Sequence, residues 1–352
     1  MAKRAEVLDA NDSRNINKAA EVLKKGGLVA FPTETVYGLG ADALNPKAAA
    51  GIFAAKKRPQ FDPLIVHVAR PDEAFELWKE TPKIALTLIK KFWPGPLTLI
   101  LPKSEKVPAI VTSDLPTVAV RMPKGQAASQ LLGRFGGPVA APSANLFGYA
   151  SPTTAAAVYE DLGDEIDIIL DGGPTSVGIE STVLKIEGDR CVLLRPGGVP
   201  VEEIENFTPV FKKGDGENLV VESPGLTHSH YAPRTPFTLM GKDRALFVGE
   251  LEHLYKACRR AGVEWPRIGF LSFDKNLNEP CFAAVEVLSA HGDLSEAAAN
   301  FFQAVRTLDK MNLDLMVAEP VPSHGLGAAI MDRLTKATGG NVGVDKFFQF
   351  NP

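Results

Sequence analysis

Ser181-Thr182-Val183-Leu184-Lys185-Ile186 and Cys191-Val192-Leu193-Leu194 are short runs rich in aliphatic residues, joined across Glu187-Gly188-Asp189. Two such runs separated by a glycine-containing turn predict a strand pair. Upstream, strands are predicted over Leu28–Phe31, Leu64–Val68, Leu97–Leu101, Thr117–Arg121 and Ile166–Leu170. Helices are predicted over Ile16–Gly27, Pro46–Lys57, Asp72–Lys79, Lys83–Phe92, Ala127–Leu132 and Thr154–Leu162, where apolar residues recur at helical spacing or turn signals bracket the run. Strands and helices interleave irregularly, and neighbouring strands lie close in sequence. This pattern predicts a mixed, twisted α/β sheet rather than a strictly parallel one.

The chain has 352 residues, more than one domain at about 150 residues each. The charged, glycine-containing stretch 212–217 and the proline-rich stretch 223–236 mark a break. The predicted organisation is therefore a first domain over 1–215, a linker over 216–241 and a second domain over 242–352. In the second domain, strands over Ala245–Gly249, Ile268–Phe273, Ala283–Val287 and Leu313–Ala318 interleave with helices over Glu252–Ala261, Ser295–Lys310 and Gly327–Ala337. That alternation predicts a smaller Rossmann-like, doubly wound α/β domain.

A net charge of −4, with 45% hydrophobic and 23% charged residues, describes an ordinary globular chain without a broad basic face for nucleic acid. A small anionic ligand suits it better. Three dispersed cysteines, Cys191, Cys258 and Cys281, offer neither a disulfide framework nor a metal-binding spacing. No apolar leader or membrane span is apparent, and a cytoplasmic location is expected.

The familiar phosphate-loop, dinucleotide, nucleophile-elbow and zinc-protease signatures are absent. Chemistry falls instead to polar residues at the ends of elements. Lys56, Lys57 and Arg58 end a helix, where cations complement the dipole. Pro59 draws Arg58 out of helical geometry, which also allows Lys56 and Arg58 to converge on one polyanion. His67 lies in an apolar strand and reads either as a core residue or as a ligand contact. Arg121 closes an apolar strand and requires solvent, an acidic partner or a ligand carboxylate, which its fork suits. Pro142-Ser143-Ala144-Asn145 follows a short apolar run, places a hydroxyl and an amide just after a strand, and reads as a capped turn. The glycine- and hydroxyl-rich run 172–182 has the composition of a backbone nest for an anion.

Together, Phe31-Pro32-Thr33-Glu34-Thr35-Val36-Tyr37-Gly38-Leu39-Gly40, Lys56-x-Arg58-Pro59 with Pro63-Leu64-Ile65-Val66-His67-Val68, and Trp93-Pro94-Gly95-Pro96-Leu97-Thr98 resemble the YrdC-like domain of the L-threonylcarbamoyladenylate synthases. Pro142-Ser143-Ala144-Asn145, Ser181-Thr182-Val183 and Arg195-Pro196-Gly197 extend the resemblance. His230-Tyr231-Ala232-Pro233 and Gly325–Leu334 resemble the family's two-domain branch.

The resemblance implies synthesis of threonylcarbamoyl-AMP and pyrophosphate from L-threonine, bicarbonate and ATP, with Mg²⁺ bridging the triphosphate and no metal ligands from protein side chains. The product would pass to a separate tRNA threonylcarbamoyl transferase complex that makes the t6A base beside the anticodon, without stable nucleic-acid binding by this chain. Lys56, Arg58, Ser143 and Asn145 would form the catalytic cradle. Arg58, Asp62, Thr117, Ser143, Ser151, Arg195 and Tyr231 would bind ATP, with the linker closing over it as a lid. Thr35, His67, Arg121, Ala141 and Ser181 would hold threonine, Arg121 on its carboxylate. Two positions depart from the family pattern: Lys57 where glycine is frequent and Asp62 where asparagine is frequent. The alternative reading is a non-catalytic RNA-binding module of the same fold, which the mild negative charge disfavours.

Overall fold

The computed structural model describes residues 4–212, 230–241 and 243–343. The chain divides into two compact units: residues 1–147 with 151–227, and residues 148–150 with 228–352.

The first unit runs β1 (Glu6–Asp9), α1 (Ser13–Lys24), β2 (Val29–Phe31), β3 (Gly38–Asp42), α2 (Pro46–Lys56), β4 (Ile65–His67), α3 (Pro71–Leu77), α4 (Lys83–Phe92), β5 (Leu97–Pro102), α5 (Ala109–Thr112) and β6 (Thr117–Arg121). It continues through α6 (Gln126–Phe135), β7 (Val139–Ala140), α7 (Ala155–Leu162), β8 (Ile168–Asp171), β9 (Thr182–Glu187), β10 (Arg190–Arg195), α8 (Val201–Glu205) and β11 (Val210–Lys212). Its strands form one mixed sheet in the order β1-β8-β2-β3-β7-β4-β6-β5-β9-β10-β11. β9 and β10 pair antiparallel as the opening hairpin predicts, while β4 with β6 and β5 with β9 are parallel.

Alternation along the central strands determines what each face does. Val66, Leu97, Leu99, Leu101, Val118, Val120, Leu184 and Ile186 enter the large core, shared with residues of α2, α4 and α7. The intervening residues Ile65, Ile100, Ala119 and Val183 form a small apolar patch on the other face, joined by Leu194. Farther along that face, α1 and α6 cover Val139, Phe31 and Ala141. Helix α1 forms because Asp12 caps it, accepting from the Arg14 N–H, while Ile16, Ala19, Ala20 and Leu23 fall on its buried side.

The second unit runs β12 (Phe237–Leu239), α9 (Arg244–Ala261), β13 (Ile268–Ser272), β14 (Ala284–Val287), α10 (Leu294–Asp309), β15 (Leu315–Ala318) and α11 (Leu326–Ala337). Its sheet has the order β12-β15-β13-β14 and is parallel throughout. Ile268 and Phe270 pack with Phe247 and Leu251 of α9, whereas Gly269 faces Leu308 of α10, so helices cover both faces.

Two expectations for this region are corrected. Ala245–Gly249 is not a strand but the first part of α9, whose N-terminus Asp243 caps by accepting from the Ala245 N–H. A short apolar run has no period long enough to distinguish strand from helix. The missing strand is Phe237–Leu239, inside the stretch read as linker. The rest of that stretch from 216 to 229 lies outside the described residues.

Candidate active site

Register places four of the expected site residues, His67, Thr117, Arg121 and Arg195, before any side-chain contact is considered. Residues Thr117, Ala119 and Arg121 of β6 point to one face, and β6 pairs His67 with Arg121 and Ile65 with Ala119. On the other side Ile100 pairs with Ala119, and Thr98 pairs with Val183. A bulge in β10 then sets Arg195 opposite Val183. Thr98, His67, Thr117, Arg121 and Arg195 thus rim the apolar patch of Ile65, Ile100, Ala119, Val183 and Leu194. Thr117 and Arg121 occupy opposite ends of their strand, roughly 13 Å apart at the usual rise.

Arg121 is 4% exposed and held from three sides. Its Nε donates to Gly95 O at 3.2 Å, Nη1 donates to Thr35 Oγ1 at 2.8 Å, and Nη2 lies 2.7 Å from Glu34 Oε2. The solvent or acidic partner that a strand-end arginine requires is therefore Glu34. Thr35 is positioned by Thr33, whose Oγ1 accepts from the Thr35 N–H and lies 2.8 Å from Thr35 Oγ1.

His67 is buried, with its ring edge-on to Phe31 and Nδ1 without a hydrogen-bond partner among the described residues. Burial, reinforced by the Arg121 charge, pushes its pKa down to about 3, against a backbone hydrogen bond that favours protonation. The imidazole is neutral at ordinary pH.

Ser181 Oγ lies 2.7 Å from Thr98 Oγ1. Arg195 donates from Nε and Nη2 to Ser181 O at 3.2 and 3.0 Å, and from Nη2 to Ser181 Oγ at 3.2 Å. Gly197 closes this corner: a Cβ there would lie 2.3 Å from Ser181 C, so no side chain fits. Ser151 Oγ donates to the buried Glu180 Oε1 at 2.5 Å.

The helix end at Lys56 explains the departure at residue 57. Helix α2 ends in a Schellman-type turn, with Arg58 N–H on Phe53 O at 2.9 Å and Lys57 N–H on Ala54 O at 3.1 Å. The turn requires a left-handed residue, and Lys57 takes φ 51°. This is the conformation that glycine adopts without strain.

The turn sends Lys56 and Arg58 inward, each to groups of the protein. Lys56 Nζ donates to Ser143 O at 2.6 Å and to Asn145 O, while Phe147 N–H returns to Lys56 O at 2.9 Å. Burial, then the nearby Arg58 charge, hold the Lys56 pKa well below the usual amine range. Arg58 donates to the carbonyls of Asp62 and Pro63 at 3.0 and 2.9 Å, and its Nη2 lies 2.9 Å from Asp62 Oδ1. Burial raises the Asp62 pKa, opposed by Arg58, Lys56 and Arg195.

Ala141 donates its N–H to Ile65 O at 2.9 Å, and Ser143 bridges to Gly38. These contacts form separate groups: Thr35 with Arg121, Lys56 with the Ser143 and Asn145 carbonyls, Arg58 with Asp62, and Ser181 with Thr98 and Arg195, while register sets His67 beside Arg121.

Tyr231 belongs to the second unit. It is 2% exposed, with its ring against His230 and Phe302 and under the Arg333 guanidinium at 5.3 Å. In the run 172–182, read as an anion nest, four N–H groups bond within the protein: Gly173 to Asp171 Oδ1, Thr175 to Thr153 O, Val177 to Glu34 O and Gly178 to Thr35 O. Two of these bonds brace Glu34 and Thr35.

Glu34, Thr98 and Glu180 were not singled out in the sequence. The available signal was an acid inside an otherwise apolar or hydroxyl-bearing loop, which must find a partner if buried. Among the described residues, no group of three or more His, Cys, Asp or Glu side chains is arranged to hold a metal, and no helix is long and apolar enough to cross a membrane.

This arrangement coincides with two family matches in tandem. Residues 21–197 match the model of the Sua5, YciO and YrdC proteins, described as telomere recombination, and residues 199–339 match the threonylcarbamoyl-AMP synthase C-terminal domain. The chain is 43% identical over 328 residues to the threonylcarbamoyl-AMP synthase of Pyrococcus abyssi, covering 92% of this chain and 94% of that one. The chain belongs to the threonylcarbamoyl-AMP synthase family. It is a two-domain member, joining a YrdC-like unit to a smaller α/β unit.

The Bacillus subtilis threonylcarbamoyl-AMP synthase is 42% identical over 339 residues, covering 95% of this chain and 96% of its own. Among solved structures, P. abyssi Sua5 with a histidine and a tyrosine replaced by alanine aligns at a TM-score of 0.88 and 39% identity, over 96% of this chain and 97% of that one. P. abyssi Sua5 complexed with L-threonine aligns at 0.85 and 40% identity, over 96% and 99%.

Proposed function

We propose that this chain condenses L-threonine, bicarbonate and the magnesium salt of ATP to threonylcarbamoyl-AMP and pyrophosphate, for a separate transferase complex that builds t6A in tRNA. The threonine amine adds to carbon dioxide with loss of a proton, or to bicarbonate with loss of water, to give a carbamate. A carbamate oxygen then attacks the α-phosphorus in line, and the bond from that phosphorus to the bridging oxygen of the leaving pyrophosphate breaks. Such a transfer depends on positioning and charge stabilisation more than on a protein nucleophile.

The observation that carries this reading is the fixed guanidinium of Arg121, flanked on one sheet face by Thr35 and the neutral ring of His67. In this reading Arg121 takes the amino acid carboxylate, and Thr35, His67, Ser181 and the Ala141 backbone surround the rest of threonine. Arg58, Thr117, Ser143, Asn145, Ser151 and Arg195 contact the nucleotide. Lys56 acts by fixing the Ser143 and Asn145 carbonyls, which sets the loop that faces the phosphates. The magnesium ion arrives with ATP, since Asp62, Glu34 and Glu180 are each directed at a protein cation or hydroxyl.

Incubating the full chain with ATP, bicarbonate and labelled L-threonine tests the reading. Pyrophosphate release should require both threonine and bicarbonate; release without threonine refutes it.

A further inference from the structure

We infer that Glu34 is a positioning residue for amino acid recognition, acting entirely through Arg121. The inference rests on the threonine reading of the site and adds a residue to it.

Glu34 Oε2 lies 2.7 Å from Arg121 Nη2, and both side chains are buried. Both Glu34 carboxylate oxygens and Arg121 Nη2 are enclosed, and the contact is a close ion pair rather than an aligned hydrogen bond. No ligand atom fits between the two groups. Glu34 therefore neither competes with a bound carboxylate at that edge nor touches a substrate amine.

The backbone of Glu34 is anchored on both sides: its N–H donates to Lys124 O at 3.2 Å, and its O accepts from Val177 N–H at 2.7 Å. Glu34 also borders a groove of about 440 Å³ with Pro32, Thr33, Lys124 and Val177, but its enclosed carboxylate faces Arg121 and not that groove. The carboxylate is thus a rigid counter-charge. With Gly95 O on Nε and Thr35 Oγ1 on Nη1, it completes a three-point support that fixes the plane of the guanidinium.

A guanidinium N–H binds a carboxylate oxygen well only when it is aligned with it. An arginine free to rotate must lose that freedom when ligand binds, so prior fixation favours binding. Glu34→Gln retains the shape and one acceptor but removes the counter-charge, and the fixation weakens. The charge alone has the opposite effect, since loss of an anion strengthens the field of Arg121 on a ligand. The two accounts therefore predict opposite signs.

The experiment is calorimetric titration of wild type and Glu34→Gln with L-threonine, with L-threoninamide, which lacks the carboxylate, and with ATP. Threonine Kd should rise about tenfold in the variant, while threoninamide and ATP Kd values stay within about twofold. Steady-state kinetics should show the change in threonine KM and little change in kcat at saturating threonine. Unchanged or tighter threonine binding overturns the assignment, as does equal weakening of threonine and threoninamide, which marks a general structural effect. If Glu34→Gln does not fold, Glu34→Asp, which keeps the charge but withdraws it by one methylene, carries the same ratio test. A wild-type chain that binds no threonine removes the threonine reading and this assignment with it, whereas normal wild-type binding with an unaltered ratio removes only the assignment.

Discussion

Replacing His67 with phenylalanine removes one titrating group from the site without removing the ring that meets Phe31 edge-on. In the folded chain the imidazole pKa is pushed down to about 3, from an ordinary value of 6.5. Between those values the unfolded chain binds a proton that the folded chain does not, so stability falls as pH falls through that window and is constant above it. The linkage slope for one proton is about 1.4 kcal/mol per pH unit, or roughly 5 kcal/mol across the window.

Urea unfolding of the first unit, followed between pH 4 and 7 in wild type and His67→Phe, measures this directly. The other ionisable groups are the same in both proteins, so the difference between the two slopes belongs to His67. The variant should be flatter by about one proton's worth of slope. Nitrogen NMR of the wild-type imidazole should show a neutral ring down to pH 5. A ring that protonates near pH 6, or equal slopes in the two proteins, would refute the argument that burial beside Arg121 controls this group.

Three further outcomes are expected. Arg121→Ala should raise threonine KM on the order of 10²-fold, from loss of a charged contact worth about 2–3 kcal/mol, and an unchanged KM would refute the placement of the substrate carboxylate. Asp62→Asn should lower ATP KM on the order of fivefold in a coupled pyrophosphate assay, because Arg58 and Arg195 lose a nearby anion that competes with phosphate; a raised KM would show that Asp62 assists binding. Lys57→Gly should stabilise the chain by about 1 kcal/mol in chemical denaturation, since glycine relieves the left-handed strain at φ 51°, and a loss of stability would assign Lys57 an interaction of its own.

The parts of the fold that were legible in the sequence are those where periodicity and punctuation agree. Helix α4 has the predicted limits because apolar residues recur at helical spacing between Pro82 and Pro94, and β6 because Pro116 and Pro123 bracket an apolar run. Where one signal was missing, the reading failed. Gly38–Asp42 has glycines where a strand ordinarily has branched side chains, yet it pairs with β2 and β7 deep inside the unit, where close approach suits glycine.

The contacts among the candidate site residues were not legible in the sequence. Nothing local in Phe31–Gly40 says that Glu34 meets Arg121, because that partner is supplied by pairing distant strands. Similarly, a lysine two residues before an arginine reads as two cations for one polyanion. The backbone carbonyls that receive Lys56 come from residues 143 and 145, far along the chain.

The division of faces along β4, β5, β6 and β9 has a consequence for how this protein varies. Odd and even positions answer to different demands, although they share the same few residues of chain. At Val118 and Val120 a change acts on the amount of folded protein; at Thr117 and Arg121, on the proposed reading of the site, it acts on what that protein recognises. Tolerance should therefore alternate with a period of two, and the pattern should exchange phase between an assay of abundance and an assay of turnover. A single inserted residue exchanges the two roles at once and sends Arg121 toward the core. Specificity here is open to point substitution but closed to insertion, so new activities on this scaffold should arise in the loops that end the strands rather than by changes of length within them.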